Sequence, residues 1–172
     1  MYENNLPHRR YAKTLAFIEQ YIDKSETILD LGVSNPFSDI LKGESYTVYN
    51  TQGEDLDENY AFVKEYQVEV VTALEILEHL VSPLPLLKAL PGKKLIATIP
   101  LSLWFAKAYR SYTDDRDRHY HEFEDWQFDW LLEKAGWKII AKKKWTSPTG
   151  QIGIRPLLRK ITPRYYAVYA ER

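Results

Sequence analysis

The stretch Ile28-Leu29-Asp30-Leu31-Gly32-Val33-Ser34-Asn35-Pro36 constrains this chain more than any other. Three aliphatic residues interleave with Asp30 and run straight into a turn, the pattern of a buried strand that ends in a loop. Gly32 can take a positive φ or let another backbone approach closely without a Cβ clash. Pro36 carries the fixed φ of a first helical residue, and Ser34 or Asn35 before it can cap the free N–H groups. Phe37, Ile40 and Leu41 follow at helical spacing, and Gly43 closes the helix. Strand, tight turn and helix N-terminus in succession hold an anionic or carboxylate-bearing ligand at the carboxyl edge of a sheet in α/β proteins.

The 172 residues suit one domain, 1–172, around a single core. With no cysteine, disulfides, thiolate catalysis and thiolate-held metals are excluded. A net charge of −1 argues against a general nucleic-acid or anionic-membrane binder and leaves room for a local basic patch. No run approaches the roughly 18 apolar residues of a membrane span, and the first residues lack a signal peptide's apolar stretch. The expectation is therefore a cytoplasmic protein with no membrane partner, and nothing indicates an oligomeric state. All five tryptophans fall in the second half, which points to an enclosed flat or apolar ligand there.

Residues 7–24 read as an amphipathic helix, with Tyr11, Leu15, Ile18 and Ile22 on one face. Residues 45–50 read as a strand, 60–66 as a short edge element and 67–73 as a better strand. A short apolar helix ends at Leu90, Pro91-Gly92 turns, and 94–99 is a fully apolar strand stopped by Pro100. Phe128, Leu131, Leu132 and Ala135 mark a helix face ended by Gly136, and 137–145 and 165–170 read as a closing strand pair. Between 101 and 122 lies an aromatic and basic insertion that could clamp a flat or anionic acceptor or simply pack on the domain. Lys142, Lys143, Lys144, Arg155, Arg159, Lys160 and Arg164 read as a solvated face rather than a nucleic-acid site.

Ile28-Leu29-Asp30-Leu31-Gly32 resembles the first motif of the class I S-adenosylmethionine-dependent methyltransferases. Where that family places its second and third glycines, this chain has Ser34 and Pro36. Val70-Val71-Thr72-Ala73-Leu74-Glu75-Ile76-Leu77-Glu78-His79-Leu80, with the later Leu90-Pro91-Gly92-Lys93-Lys94-Leu95-Ile96-Ala97-Thr98-Ile99-Pro100, is similar to the subgroup that includes ubiquinone-biosynthesis O-methyltransferases. The resemblance implies a Rossmann-like α/β fold: a seven-stranded mixed sheet in the order 3-2-1-4-5-7-6, one strand antiparallel, helices on both faces. It implies a cofactor site at Asp30, Gly32, Ser34, Asn35, Asn50 and Leu74, with Asn50 where the family usually has a ribose-binding acid. A leading helix that covers the cofactor would bring His8, Arg9 or Arg10 to the site. Glu75, Glu78 and His79 fall where the family's residues face the acceptor, adjacent to one another if that stretch is helical.

The same resemblance extends to a metal. Glu75, Glu78, His79 and His121 together resemble the divalent-ion site of the small-RNA 2′-O-methyltransferases, where a Glu-x-x-Glu-His motif is joined by a later histidine. The shorter spacing before His121 leaves His119 as a competing ligand. Two carboxylates and two imidazoles could hold Mg²⁺, Mn²⁺ or Zn²⁺, or form a plain polar network. The expected function is methyl transfer from S-adenosylmethionine to a small molecule, at oxygen. The alternative is a methyltransferase-like domain that has lost the cofactor and binds a ligand or a protein.

Overall fold

The structure is a computed structural model that describes residues 7–172. Its described residues form one mixed sheet of six strands, β1 (Thr27–Asp30), β2 (Thr47–Asn50), β3 (Val70–Leu74), β4 (Lys94–Pro100), β5 (Lys138–Thr146) and β6 (Pro163–Glu171), in the order β2-β1-β3-β4-β6-β5. The first four run parallel, and β6 is antiparallel to both β4 and β5. This is the expected Rossmann-like arrangement short of one strand. The order of seven is corrected to six because Tyr60–Glu65, read as an edge element, folds as a 3₁₀ helix. Local turn chemistry explains the difference. The Asp55 carboxylate accepts from the Asp57 and Glu58 N–H groups, and its carbonyl accepts from Asn59. The chain enters the segment already coiled, its apolar residues bunch rather than alternate, and β2 becomes the sheet's edge.

Alternation along the strands builds a core on each face. Ile28, Val70, Ile96, Ala167 and Tyr169 face one way and meet Tyr11, Phe17 and Ile18 of α1 (His8–Ile18) and Phe37 and Leu41 of α2 (Pro36–Gly43). Leu29, Val71, Leu95, Ala97, Val168 and Ala170 face the other way. They meet Leu86 and Leu87 of α3 (Pro83–Ala89) and Phe128 and Leu132 of α4 (Asp125–Lys134). The buried Trp137 indole donates to the Leu87 carbonyl at 2.9 Å and ties the start of β5 to α3.

Two local expectations need correction. The first helix ends at Ile18, and buried Ile22 follows in a turn. The tryptophans do not enclose a ligand together: Trp137 and Trp145 are buried in the core, whereas Trp104, Trp126 and Trp130 are exposed. Arg155, Arg159 and Lys160, read as part of a solvated basic face, lie on a fifth helix, α5 (Ile154–Ile161), none of whose residues is buried.

Candidate functional site

At the carboxyl end of β1 the backbone turns through Gly32 at φ +104°, a value that a side chain with a Cβ rarely adopts. The turn is held from several directions. Leu31 N–H extends the sheet ladder to the Thr72 carbonyl, and Gly32 N–H donates to Thr51 Oγ1 at 2.8 Å. Asn35 caps α2, its Oδ1 accepting from the N–H groups of Phe37 and Ser38 at 2.9 and 3.2 Å, with Pro36 as first helical residue.

Behind the turn, Asp30 is 2% exposed and accepts from Thr72 Oγ1 (2.6 Å), Ser38 Oγ (2.8 Å), Asn35 Nδ2 (3.3 Å) and Asn50 Nδ2 (3.3 Å). Burial pushes its carboxyl above the usual range, opposed by those hydrogen bonds. Asp30 therefore ties the end of β1 to β3, to α2 and to the end of β2.

A cavity of about 390 Å³ opens beside this turn. Its walls include Asp30, Gly32, Val33, Asn35 and Pro36 from the first βα unit, and Leu74, Glu75, Ile76, His79 and Thr98 from the ends of β3 and β4. Arg10, Tyr11 and Thr14 of α1 close one side, and Asp114, Arg116 and Asp117 of the insertion close another. Of the six residues expected to hold a cofactor, Asp30, Gly32, Asn35 and Leu74 line this space. Ser34 is exposed and off its walls. Asn50 also lies off the walls, its amide turned toward the loop and donating within 3.5 Å of the Asp30 carboxylate, the Gly32 carbonyl and Ser38 Oγ.

Glu75 follows β3 in the left-handed region, at φ +54°, so the stretch is not the helix that would stack Glu75 on Glu78 and His79; a 3₁₀ turn, Leu77–His79, takes its place. Arg10 reaches over from α1 and pairs with Glu75 Oε2 at 3.2 Å, its guanidinium also 5.4 Å from the Tyr165 ring. Burial raises the Glu75 carboxyl and Arg10 opposes the rise. Glu78 lies one layer deeper, 1% exposed, and its carboxyl is held well above the usual range by burial and then by the charge of Glu75.

His79 completes a second cluster. Its Nδ1 lies 3.0 Å from the Arg118 carbonyl, an acceptor only, so Nδ1 carries a proton, and its Nε2 lies 3.8 Å from Glu78 Oε1. His119 packs edge-on against His79, with ring centres 4.6 Å apart. One donor atom each from Glu78, His79 and His119 lies within 4.8 Å of the others. Glu78 Oε2 and His119 Nδ1 are buried with no hydrogen-bond partner. Burial, then His79 and Arg164, pull the His119 pKa down to about 4, which leaves its imidazole neutral at neutral pH. His121 stands apart: its Nε2 lies 3.2 Å from the Val81 carbonyl and its ring stacks on Phe123.

The insertion reaches the site through charged residues and not through its aromatic ones. Asp114, Arg116 and Asp117 line the cavity, while Trp104 and Tyr112 point into solvent. The Glu78 carbonyl accepts from the N–H groups of Tyr120 and His121 and pins the far end of the segment. Thr98 was also legible in retrospect, as the single hydroxyl inside the apolar run of β4.

No protein-family model matches the sequence, and no curated protein sequence does. Solved structures do match. The chain is similar to the Burkholderia thailandensis 1,6-didemethyltoxoflavin-N1-methyltransferase solved with bound 1,6-didemethyltoxoflavin and S-adenosylhomocysteine, at 13% identity and TM-score 0.64, over 94% of this chain and 77% of that one. A putative S-adenosylmethionine-dependent methyltransferase from Listeria monocytogenes matches at 13% identity and TM-score 0.59, over 95% and 98%. Another, from Archaeoglobus fulgidus, matches at 14% identity and TM-score 0.56, over 96% and 94%. The chain thus has the class I S-adenosylmethionine-dependent methyltransferase fold.

Proposed function

We propose that this protein transfers a methyl group from S-adenosylmethionine to a hydroxyl of a small molecule. The observation that carries the reading is the open cavity between the Gly32 turn and the end of β3, lined by four of the six residues expected at the cofactor. The residues that replace the second and third glycines do not fill it. Ser34 is exposed, and Pro36 forms part of the wall as the first residue of α2. That disposition supports a transferase over a domain that has lost its cofactor.

When bound, the cofactor brings an activated methyl on a sulfonium, a good leaving group, so the protein's task is placement. The Gly32 turn and the N-terminal end of α2 would receive the amino-acid part of the ligand. Leu74 would form one wall, and Arg10 over Glu75 would close the space from α1. The other end of the cavity, with His79, Asp114, Arg116 and Asp117, is where an acceptor would lie.

The donor set of Glu78, His79 and His119 fits a divalent ion: a buried carboxylate oxygen and an imidazole nitrogen without partners, and a second imidazole oriented by a carbonyl. The sequence resemblance points to Glu75 and His121 as the other ligands, with His119 competing; in the structure His119 stands beside Glu78 and His79. Such an ion would orient an acceptor hydroxyl and lower its pKa. Mn²⁺ is expected to raise the melting temperature of the wild type and of His121→Ala, and to have no effect on Glu78→Ala or His119→Ala. Label transfer from methyl-labelled cofactor to a panel of hydroxyl acceptors should fall about a hundredfold or more in the latter two. A Mn²⁺ shift retained in His119→Ala and lost in His121→Ala would reverse the ligand assignment. Full transfer activity in both Glu78→Ala and His119→Ala would remove the metal from the reaction.

A further inference from the structure

We infer that α5 is a docking surface for a bilayer rich in anionic lipid. The helix is amphipathic with its apolar stripe turned outward. Ile154, Leu157, Leu158 and Ile161 fall at i, i+3, i+4 and i+7, the spacing that normally faces a core. Here Ile154, Leu157 and Ile161 are 80%, 61% and 72% exposed, and none of the eight residues is buried. Ile152, just before the helix, is fully exposed as well. Four outward aliphatic side chains within ten residues need a partner, since scattered surface aliphatics do not line up on one helix face.

Charge identifies the partner. From 150 to 164 the chain carries Arg155, Arg159, Lys160 and Arg164 and no acid, against a net charge of −1 for the whole protein. Arg155 and Arg159 flank the stripe on one side and Lys160 on the other. Among the described residues no carboxylate pairs with these three, whereas Lys142 and Lys144 of β5 are held by Asp129 and Asp125. Aliphatic side chains flanked by unpaired basic ones are the composition of a helix that lies in the plane of an anionic bilayer, with long cationic side chains reaching to the headgroups. A second copy of the chain fits poorly, because a two-fold contact would set two such basic faces against each other. At eight residues the helix can lie on a membrane but cannot cross one.

Position gives the docking a consequence. The chain leaving α5 enters β6 at Pro163, and Arg164 donates to the carbonyl of Leu101, at the carboxyl end of β4. The helix therefore stands on the sheet edge where the cavity opens. Trp104, which follows Leu101 in the chain, is 78% exposed.

Vesicle sedimentation tests the inference without cofactor or acceptor, so its failure would leave the methyl-transfer reading untouched. The protein should sediment with vesicles of equal parts phosphatidylcholine and phosphatidylglycerol and stay in solution with phosphatidylcholine alone. Leu157→Asp, and separately the double variant Arg155→Glu with Arg159→Glu, should each weaken vesicle binding by about tenfold or more. Tyr49→Asp, at an exposed site on β2 at the opposite edge of the sheet, should bind as the wild type does. Since Leu157 is exposed, its variant should keep the wild-type circular dichroism spectrum. Absence of binding to the mixed vesicles, equal binding to both compositions, or full binding by a folded Leu157→Asp would each overturn the proposal. So would a vesicle-free dimer that Leu157→Asp dissociates, or binding to soluble polyglutamate with the vesicles left unbound.

Discussion

Gly32→Val is expected to weaken binding of S-adenosylmethionine by at least about a hundredfold while leaving the protein folded. Gly32 sits at φ +104°, where a β-branched residue is strained by about 1–3 kcal/mol. There is room for the Cβ itself: its nearest neighbour would be Ile76 Cδ1 at 3.6 Å, an ordinary contact. The cost thus comes from the backbone, and the chain has two ways to respond. If the turn keeps its shape, the isopropyl group projects beside Ile76 into the space the cofactor would use. If it relaxes, Gly32 loses its N–H bond to Thr51 Oγ1 and the wall of the cavity is displaced. Either way binding suffers more than folding, because the strain is a fraction of a domain's total stability of about 5–15 kcal/mol. Gly32→Ala should show the same loss in weaker form. Calorimetry and thermal melting on the two variants check both halves; normal affinity in a folded Gly32→Val protein would refute the placement of the cofactor.

Asp30→Ala should act in the opposite sense, chiefly on stability. Its carboxylate is the shared acceptor for two hydroxyls and two amides from three different elements. Truncation leaves Thr72 and Ser38 buried without an acceptor and releases Asn35 and Asn50 from the loop. Each orphaned donor costs about 1–3 kcal/mol, and some regain water from the adjacent cavity, so a net loss of about 3 kcal/mol is expected. For a chain of this size that lowers the melting temperature by roughly 10 °C. Asp30→Asn retains one acceptor oxygen and should lose about half as much. A melting temperature within a degree or so of wild type in Asp30→Ala would mean that this network does not hold the turn.

Much of this was written in the chain, and the exceptions have physical causes. The first βα unit was readable because its residues act locally: aliphatic alternation for β1, Asn35 and Pro36 for the start of α2, Gly32 for the turn. The parallel strands β3 and β4 were readable because both faces are buried and their sequences are nearly continuous apolar runs. The missing seventh strand was not, since Asp55 decides by a side-chain hydrogen bond what the apolar content of 60–66 leaves open. Asn50 was placed at the cofactor by the resemblance, as the last residue of β2, and the structure turns its amide inward because buried Asp30 competes for it. Whether His119 or His121 comes to stand beside Glu78 and His79 was a matter of a few residues in an irregular segment, which no periodicity can phase. The outward stripe of α5 was hidden for another reason. Its spacing promises a helix packed on a core, and only the fold shows that no core lies beneath it.

The most direct test is calorimetric titration of the wild-type protein with S-adenosylhomocysteine, followed by S-adenosylmethionine in competition. The account predicts saturable binding of one molecule per chain, displaced by the second ligand and lost in Gly32→Val. A folded wild-type protein that gives no saturable binding to either ligand would contradict it, and would leave a methyltransferase-like domain that has lost its cofactor.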